Sequence, residues 1–234
     1  MPDLNPIIDI HELSKKYKGA DMFSVDPITF SVYKGEIFGL LEPTSGSFEI
    51  DGKTYAGQSR EIKQSIGVVP QEYALYPTLS AVENLRYFGS MYGLRGKDLN
   101  EKIAENIEIL GLTKFASKRI ETYSGGMKRR INLIAGILHN PKVLFLDEPT
   151  VGVDVHSKNV IIEYLKEINR LGTTIVYTSH HMAEAEDFCT RIAIVDRGRI
   201  FAQGKPEDLI DTVPHARNLE DVFLSLTGKA LRDA

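Results

Sequence analysis

The chain of 234 residues lacks most features that would assign it to a specialised class of protein. Its single cysteine, Cys189, excludes an internal disulfide framework and fits a reducing compartment, so we expect an ordinary core or surface thiol. No apolar run approaches the ~20 residues that span a bilayer, and residues 1–10 do not form a secretory signal. These absences predict a cytoplasmic protein. Any role at a membrane therefore requires a partner that supplies the membrane-spanning part.

The charge balance excludes a further class. The formal net charge is -4 at pH 7, which argues against a nucleic-acid-binding surface, so no nucleic acid is expected among the partners. Hydrophobic residues make up 42% of the chain and charged residues 26%, as in an ordinary globular protein. The length predicts one large domain or two small ones with a sizeable core.

The most informative stretch runs from Tyr123 to Asp154. Ser124, Gly125 and Gly126 open an apolar-periodic helix, whose N-terminus favours an anion such as phosphate. A buried-type strand over 142–146 follows and ends on two carboxylates, Asp147 and Glu148. Ligands of open α/β sheets bind at the carboxyl ends of strands. A carboxylate there can also act as a base toward water.

Local patterns predict the remaining elements. Residues 1–71 are β-rich, with a hairpin turn at Asp51-Gly52 and with Pro27 at an edge or bend. Residues 72–125 are mostly helical. One helix there begins with a Ser80–Glu83 capping box, and another begins at Asp98. Residues 126–204 alternate helices with strands, which indicates a parallel sheet, and residues 205–234 form two short helices.

This pattern resembles an ABC-type ATPase subunit. The YSGGM segment is similar to the signature motif, and VLFLDEPT is similar to a Walker B strand. The resemblance implies an α/β fold with a P-loop NTPase-like ABC ATPase core, an antiparallel β subdomain and a helical subdomain. It covers residues 1–234 as a single ABC ATPase domain.

The resemblance also implies roles for individual residues. Asp147 and Gln71 would hold Mg²⁺, Glu148 would polarise the attacking water, and His180 would contact the γ-phosphate of ATP, although His181 is an alternative. Tyr17 would stack on adenine, with a plain surface tyrosine as the alternative. The remaining candidates would contact nucleotide across a head-to-tail dimer: Ser124, Gly125, Gly126 and Asp154. The run Lys128–Arg130 is interpreted as a solvated helix face.

One expected motif is missing. An ABC ATPase carries a P-loop, G-x-x-x-x-G-K-[ST], after a strand like EIFGLL, because its backbone N–H groups and lysine bind phosphates. Here Leu41 is followed directly by Glu42, and no segment matches the pattern. We therefore expect the P-loop and its helix, roughly 20 residues, to be deleted. Loss of the helix would expose an apolar sheet face.

Two functions follow from the resemblance. In the first, the chain is the ATP-binding and ATP-hydrolysing subunit of an exporter, paired with an ABC-2-type permease and a second ATPase subunit, and is impaired by the missing P-loop. It would then be peripheral on the inner face of the cell membrane. In the second, it is a non-catalytic subunit that complements a partner's intact ATP site. The C-terminal segment LEDVFLSLTGKALRD resembles exporter subunits and favours export.

Overall fold

The structure, a computed structural model, describes residues 5–16, 24–38, 45–196 and 198–228. The strands are β1 Pro6–Lys15, β2 Val25–Tyr33, β3 Ile37–Phe38, β4 Ser45–Ile50, β5 Lys53–Thr54, β6 Ile66–Val69, β7 Val143–Asp147, β8 Thr174–Thr178, β9 Ile192–Asp196 and β10 Arg199–Gly204. The α-helices are α1 Tyr55–Ser65, α2 Ala81–Met91, α3 Gly96–Ile109, α4 Gly125–Ile137, α5 Val155–Arg170, α6 Met182–Phe188, α7 Pro206–Thr212 and α8 Leu219–Thr227. Tyr17 and the Leu41–Glu42 junction lie outside the described residues.

The chain separates into two compact units. One comprises Met1–Ile62 and Thr174–Ala234, and the other comprises Lys63–Thr173. The second unit contains the predicted helical insert, β6, β7 and α5, and the first contains the antiparallel strands and the C-terminal helices. The division of a single domain at residues 71, 125 and 204 stays a prediction.

An antiparallel sheet with strand order β2-β1-β4-β5 dominates the first unit. Pro27 lies in the edge strand β2, where a residue without an N–H group leaves no ladder hydrogen bond unmade. Asp51 and Gly52, with φ of 54° and 69°, form the predicted tight turn between β4 and β5. Separately, β3 pairs with β8 in parallel over two residues.

Helices α6–α8 and the β9–β10 hairpin complete the first unit. Their apolar cluster is built from four buried residues, Ile194, Leu209, Leu219 and Val222. Cys189 is also buried, which confirms an ordinary core thiol. Its burial, with a smaller effect of the Glu184 carboxylate, raises its pKa to about 12. Within the described ranges, no helix has both the length and the apolar character needed to cross a membrane.

The second unit is organised around the parallel pair β6–β7. The register aligns Gly67 with Leu144 and Val69 with Leu146. Helix α4 packs on this face at short range, because a Cβ atom added to Gly67 would lie 2.2 Å from the Gly136 carbonyl oxygen. Two glycines therefore allow the helix to approach the strand closely. That approach determines where the first turn of α4 lies.

The helical insert confirms one predicted helix start and corrects the other. The Ser80 hydroxyl accepts from the Glu83 N–H at 3.2 Å, and the Glu83 carboxylate accepts from the Ser80 N–H at 2.8 Å. This is the predicted capping box of α2. The prediction that Asp98 begins the next helix was wrong, because Arg95 precedes its first residue, Gly96. Asp98 instead lies inside the first turn, where a carboxylate favours the helix dipole.

Candidate functional site

Three predicted site residues lie at the carboxyl ends of the two parallel strands of the second unit. Asp147 is the last residue of β7 and is exposed, and Glu148 follows it. Gln71 comes two residues after the end of β6, and its Nε2 donates a hydrogen bond of 2.9 Å to Glu148 Oε2. Glu148 has a φ of 46°, a left-handed conformation that is uncommon for a non-glycine residue and that concentrates at functional sites. The structure therefore joins Gln71 to the candidate base.

The segment that carries Gln71 is fastened to helix α4. Arg129 Nη1 donates to the carbonyl oxygens of Pro70 and Gln71 at 3.2 and 2.8 Å. Asn132 Nδ2 donates to the Pro70 oxygen at 3.2 Å, and its Oδ1 accepts from the Ala74 N–H at 3.2 Å. Side chains one helical turn apart on α4 therefore satisfy backbone groups that follow β6. This arrangement positions Gln71 beside Glu148.

The interpretation of Lys128–Arg130 as a solvated helix face was wrong for its arginines. Arg129 is only 3% exposed. Burial lowers its pKa, against the opposing effects of Tyr73 and of the carboxylates of Asp147 and Glu148. Arg130 is half-buried and donates to the Gly126 and Leu110 carbonyl oxygens at 3.2 and 2.9 Å. These cations are internal structural groups because α4 is surrounded by other elements.

The first turn of α4 carries the predicted phosphate-contacting residues. Ser124 precedes the helix and caps it, with Oγ accepting from the Met127 N–H at 3.3 Å. Ser124 and Gly125 are exposed, so their backbone is accessible to a ligand. The Tyr73 hydroxyl donates to the Gly125 carbonyl oxygen at 3.3 Å. The segment after β6 thus contacts this turn.

Asp154 lies beside the same turn as the N-terminal cap of α5. Its Oδ1 accepts from the Ser157 N–H at 2.9 Å, and its Oδ2 accepts from the Ser157 hydroxyl at 2.7 Å. These two hydrogen bonds lower the pKa of Asp154. A Cβ atom at Gly126 would lie 2.3 Å from Ser157 Oγ and 2.9 Å from Asp154 Oδ2, so glycine is needed for this contact. Both carboxylate oxygens of Asp154 therefore have a capping role, and its nucleotide contact stays a prediction.

The predicted histidine belongs to the first unit. His180 follows β8 and is exposed, and its ring centroid lies 4.2 Å from that of His181. Both rings are exposed, and the structure gives no reason to prefer one of them as the γ-phosphate contact. Tyr17, the predicted adenine contact, lies outside the described residues.

The donor set fits a hard cation better than a transition metal. Among the described residues, no group of three or more His, Cys, Asp or Glu side chains is arranged to hold a metal ion. Mg²⁺ does not need such a group, because it takes one or two carboxylates and keeps several waters. The exposed Asp147 carboxylate is one oxygen ligand of this kind. The amide oxygen of Gln71 is another, and the Nε2 atom of the same side chain donates to Glu148, the residue after Asp147.

Sequence reasoning missed three residues of this site, namely Tyr73, Arg129 and Asn132. No local pattern identifies them, since a tyrosine in a polar loop and an arginine in a basic run are ordinarily solvated. The available signal was the position of Arg129 and Asn132 on a helix whose next residues are almost continuously apolar. Such a helix is buried on most sides and buries polar residues with it.

Comparison with known proteins identifies the family. A family model described as ABC transporter matches residues 30–151. This chain belongs to the ABC transporter family. It is similar to the linearmycin resistance ATP-binding protein of Bacillus subtilis, at 43% identity over 228 residues that cover 90% of this chain and 72% of that protein. It is also similar to the Nod factor export ATP-binding protein I of Cupriavidus pinatubonensis, at 33% identity over 230 residues, with 91% and 70% covered.

A solved structure supports the fold. The structure of an ATP binding subunit of an ABC transporter superposes with a TM-score of 0.84 at 23% identity, covering 94% of this chain and 99% of that one. The predicted α/β ABC ATPase fold, with antiparallel and helical parts, is therefore confirmed. The assignment as an ATP-binding subunit is confirmed by the family match and the two relatives.

Proposed function

We propose that the chain is the ATP-binding subunit of an ABC exporter, working with an ABC-2-type permease on the cytoplasmic face of the membrane. The observation that carries the proposal is the hydrogen bond between Gln71 and Glu148 at the carboxyl ends of β6 and β7. It joins a residue after one strand to the candidate base after the other, beside Asp147. The names of two relatives, a linearmycin resistance protein and a Nod factor export protein, support export over import.

Each residue has a role in this proposal. Asp147 and Gln71 would hold Mg²⁺, which supplies charge neutralisation to the phosphates when bound. Glu148, held by Gln71 in its left-handed conformation, orients a water molecule toward the γ-phosphate. His180 contacts the same phosphate. In a head-to-tail dimer of ATPase subunits, Ser124, Gly125 and Gly126 contact the nucleotide of the opposite subunit, near Asp154, and Tyr17 stacks on adenine.

We further propose that the chain lacks the P-loop and its helix. The support for this proposal is the sequence itself, in which EIFGLL runs directly into EPTSG and no segment matches G-x-x-x-x-G-K-[ST].

Without the P-loop, ATP binding and hydrolysis by the isolated chain are impaired. The backbone cradle and the lysine that neutralise the phosphates are missing, and Glu42 adds negative charge beside the junction. Isothermal titration with ATP-Mg²⁺ tests this directly. We expect no micromolar binding by the chain. We expect micromolar binding by a version that carries the relative's segment between Leu41 and Glu42.

The matched control is the restored version with Glu148→Gln. It should bind ATP as tightly as the restored version and turn over at least a hundredfold less, because only the base is lost. Micromolar affinity in the chain as it stands would contradict the proposed impairment. Undiminished turnover in the Glu148→Gln control would contradict the assignment of the base.

The exposed first turn of α4 favours a second candidate, a non-catalytic subunit that completes a partner's ATP site. Ser124 and Gly125 are accessible and capped independently of the Leu41–Glu42 junction. The test mixes this chain with an intact relative in which the signature serine is replaced. Recovered turnover in the mixture, lost again with Ser124→Ala, supports the second candidate. If turnover in the mixture is not recovered, the second candidate is contradicted and the impaired exporter subunit remains.

A further inference from the structure

Arg129 is a buried cation whose hydrogen-bond partners lie in the candidate site. It is 3% exposed, and Nη1 donates to the carbonyl oxygens of Pro70 and Gln71. Its Nε is buried and has no hydrogen-bond partner among the described residues. Burying a guanidinium with an unpaired donor destabilises a protein unless other contacts compensate. The compensation here comes from groups that belong to the candidate site.

Tyr73 links the same guanidinium to the first turn of α4. The Arg129 guanidinium carbon lies 4.9 Å from the centroid of the Tyr73 ring, within the range of a cation–π contact. The Tyr73 hydroxyl donates to the Gly125 carbonyl oxygen, and a Cβ atom at Gly125 would lie 3.4 Å from that hydroxyl. Tyr73 therefore contacts both the turn that follows Ser124 and the Arg129 guanidinium.

On the other side, Arg129 contacts the backbone of the residue that holds the base. Nη1 is 2.8 Å from the Gln71 oxygen, and the Gln71 side chain donates to Glu148. The contacts form one continuous path, which we call the relay: Gly125, Tyr73, Arg129, Gln71 and Glu148. Every member lies in the second unit, so the path does not depend on the position of the first.

We propose that Arg129 is a positioning residue that couples the loop Ser124–Gly126 to Gln71 through Tyr73. The coupling means that a change at the loop alters the environment of the Gln71 side chain and its hydrogen bond to Glu148. Its consequence rests on the proposed function: the loop contacts the nucleotide of the opposite subunit and Glu148 serves its own, so the relay connects the two ATP sites of a dimer.

The coupling can be measured in the chain without nucleotide. The sequence contains four glutamines, Gln58, Gln64, Gln71 and Gln203, so glutamine-selective ¹⁵N labelling gives four side-chain amide pairs. The Gln71 pair is identified by its loss in Gln71→Ala. Ser124→Ala then perturbs the loop by removing the side-chain cap of α4.

We expect Ser124→Ala to shift the Gln71 amide pair by more than its linewidth in the native background. The same shift should appear in Lys128→Ala, a matched control that removes a charge one residue from Arg129 and adds no glutamine. It should disappear in Arg129→Lys, because a point charge cannot keep both carbonyl contacts and the stacking on the tyrosine ring. It should also disappear in Tyr73→Phe, which keeps the ring and removes only the hydroxyl contact to Gly125.

A shift of equal size in Arg129→Lys and Tyr73→Phe would overturn the proposal, and so would the absence of a shift in the native background. If Arg129→Lys fails to fold, as judged by thermal unfolding, Tyr73→Phe decides the question alone. A merely structural Arg129 would lower the melting temperature and leave the response to Ser124→Ala unchanged. Neither result depends on ATP binding, so failure of the relay and failure of the proposed function are distinguishable.

Discussion

Among the described residues, two parallel strand pairs, β6–β7 and β3–β8, differ in length. In the second unit, β6 and β7 pair over four residues, and helix α4 packs closely on one face through Gly67 and Gly136. In the first unit, β3 and β8 pair over two residues, and β4 begins only seven residues after β3 ends. The connection from β6 to β7 contains the helices α2, α3 and α4. The short pair includes β3, the strand that precedes the proposed P-loop deletion.

The stability of a parallel strand pair depends on the helices packed against it. Parallel pairs lack the tight hairpin that holds antiparallel strands together, so packed helices supply much of their stability. The β6–β7 pair has such a helix on one face and an exposed Val68 on the other. Four experiments test how packing around each strand pair stabilises it.

The largest effect is expected where α4 meets β6. A Cβ atom at Gly67 would lie 2.2 Å from the Gly136 oxygen and 2.9 Å from Leu144 Cδ1, so Gly67→Ala must move backbone. We expect a loss of about 3 kcal/mol in the free energy of unfolding, measured by urea denaturation. Gly57→Ala is the control, because its nearest neighbour is 4.0 Å away, and it should be neutral or stabilising. Equal losses would show that the close approach does not matter.

Insertion of the linearmycin relative's segment between Leu41 and Glu42 should act mainly on the short pair, if the proposed deletion is correct. The Ile175 N–H donates to the Glu36 oxygen at 2.8 Å, and a covering helix should slow its opening. We expect hydrogen exchange at this amide to slow about tenfold, which corresponds to about 1.4 kcal/mol. Exchange at the amides of Leu144 and Leu146 should change less than twofold. A larger change at β7 would contradict the comparison.

A smaller effect is expected in the insert that connects β6 to β7. Ser80→Ala removes the hydroxyl half of the capping box of α2, and we expect a loss of about 1 kcal/mol in the free energy of unfolding. Thermal unfolding provides the measurement. Ser90→Ala in the same helix is the control, because its hydroxyl is exposed, and it should change stability by less than about 0.5 kcal/mol. Similar losses would argue against the cap.

The smallest effect concerns pH at the start of β6. His139 Nε2 contacts the Ile66 oxygen at 2.8 Å, and its ring stacks on Tyr92. Burial lowers its pKa from 6.5, with a smaller effect in the same direction from Lys102. The unfolded chain therefore binds the proton first, so this contribution to stability is complete above pH 6.5 and declines as pH falls toward the folded pKa.

His139→Phe should keep the stacking on Tyr92 and remove this titration. We expect urea midpoints of the variant to depend less on pH between pH 7 and the folded pKa than those of the native chain. The absolute stability of the variant is lower throughout, because the Ile66 oxygen loses its partner. Parallel pH profiles in the two proteins would rule out His139 as the source of the dependence.

Much of the fold was predictable because local chemistry specifies it. The Ser80 box, the Asp51-Gly52 turn and the strand that ends at Asp147 are short-range features with strong residue preferences. Helix α1 was missed because its segment contains one fully buried apolar residue, Ile62, and shows no apolar period. Asp98 was misplaced because an acidic residue suits both a cap and a first turn.

Residue types at fixed spacing were enough to predict the family and the strand ends that carry Asp147 and Glu148, and they are the basis of the proposed loss of the P-loop. Only the tertiary structure shows that Gln71 donates a hydrogen bond to Glu148 and that Arg129 is buried. The physical reason is that these contacts join residues more than 50 positions apart. Their geometry is set by the packing of α4 on β6, which no local pattern encodes.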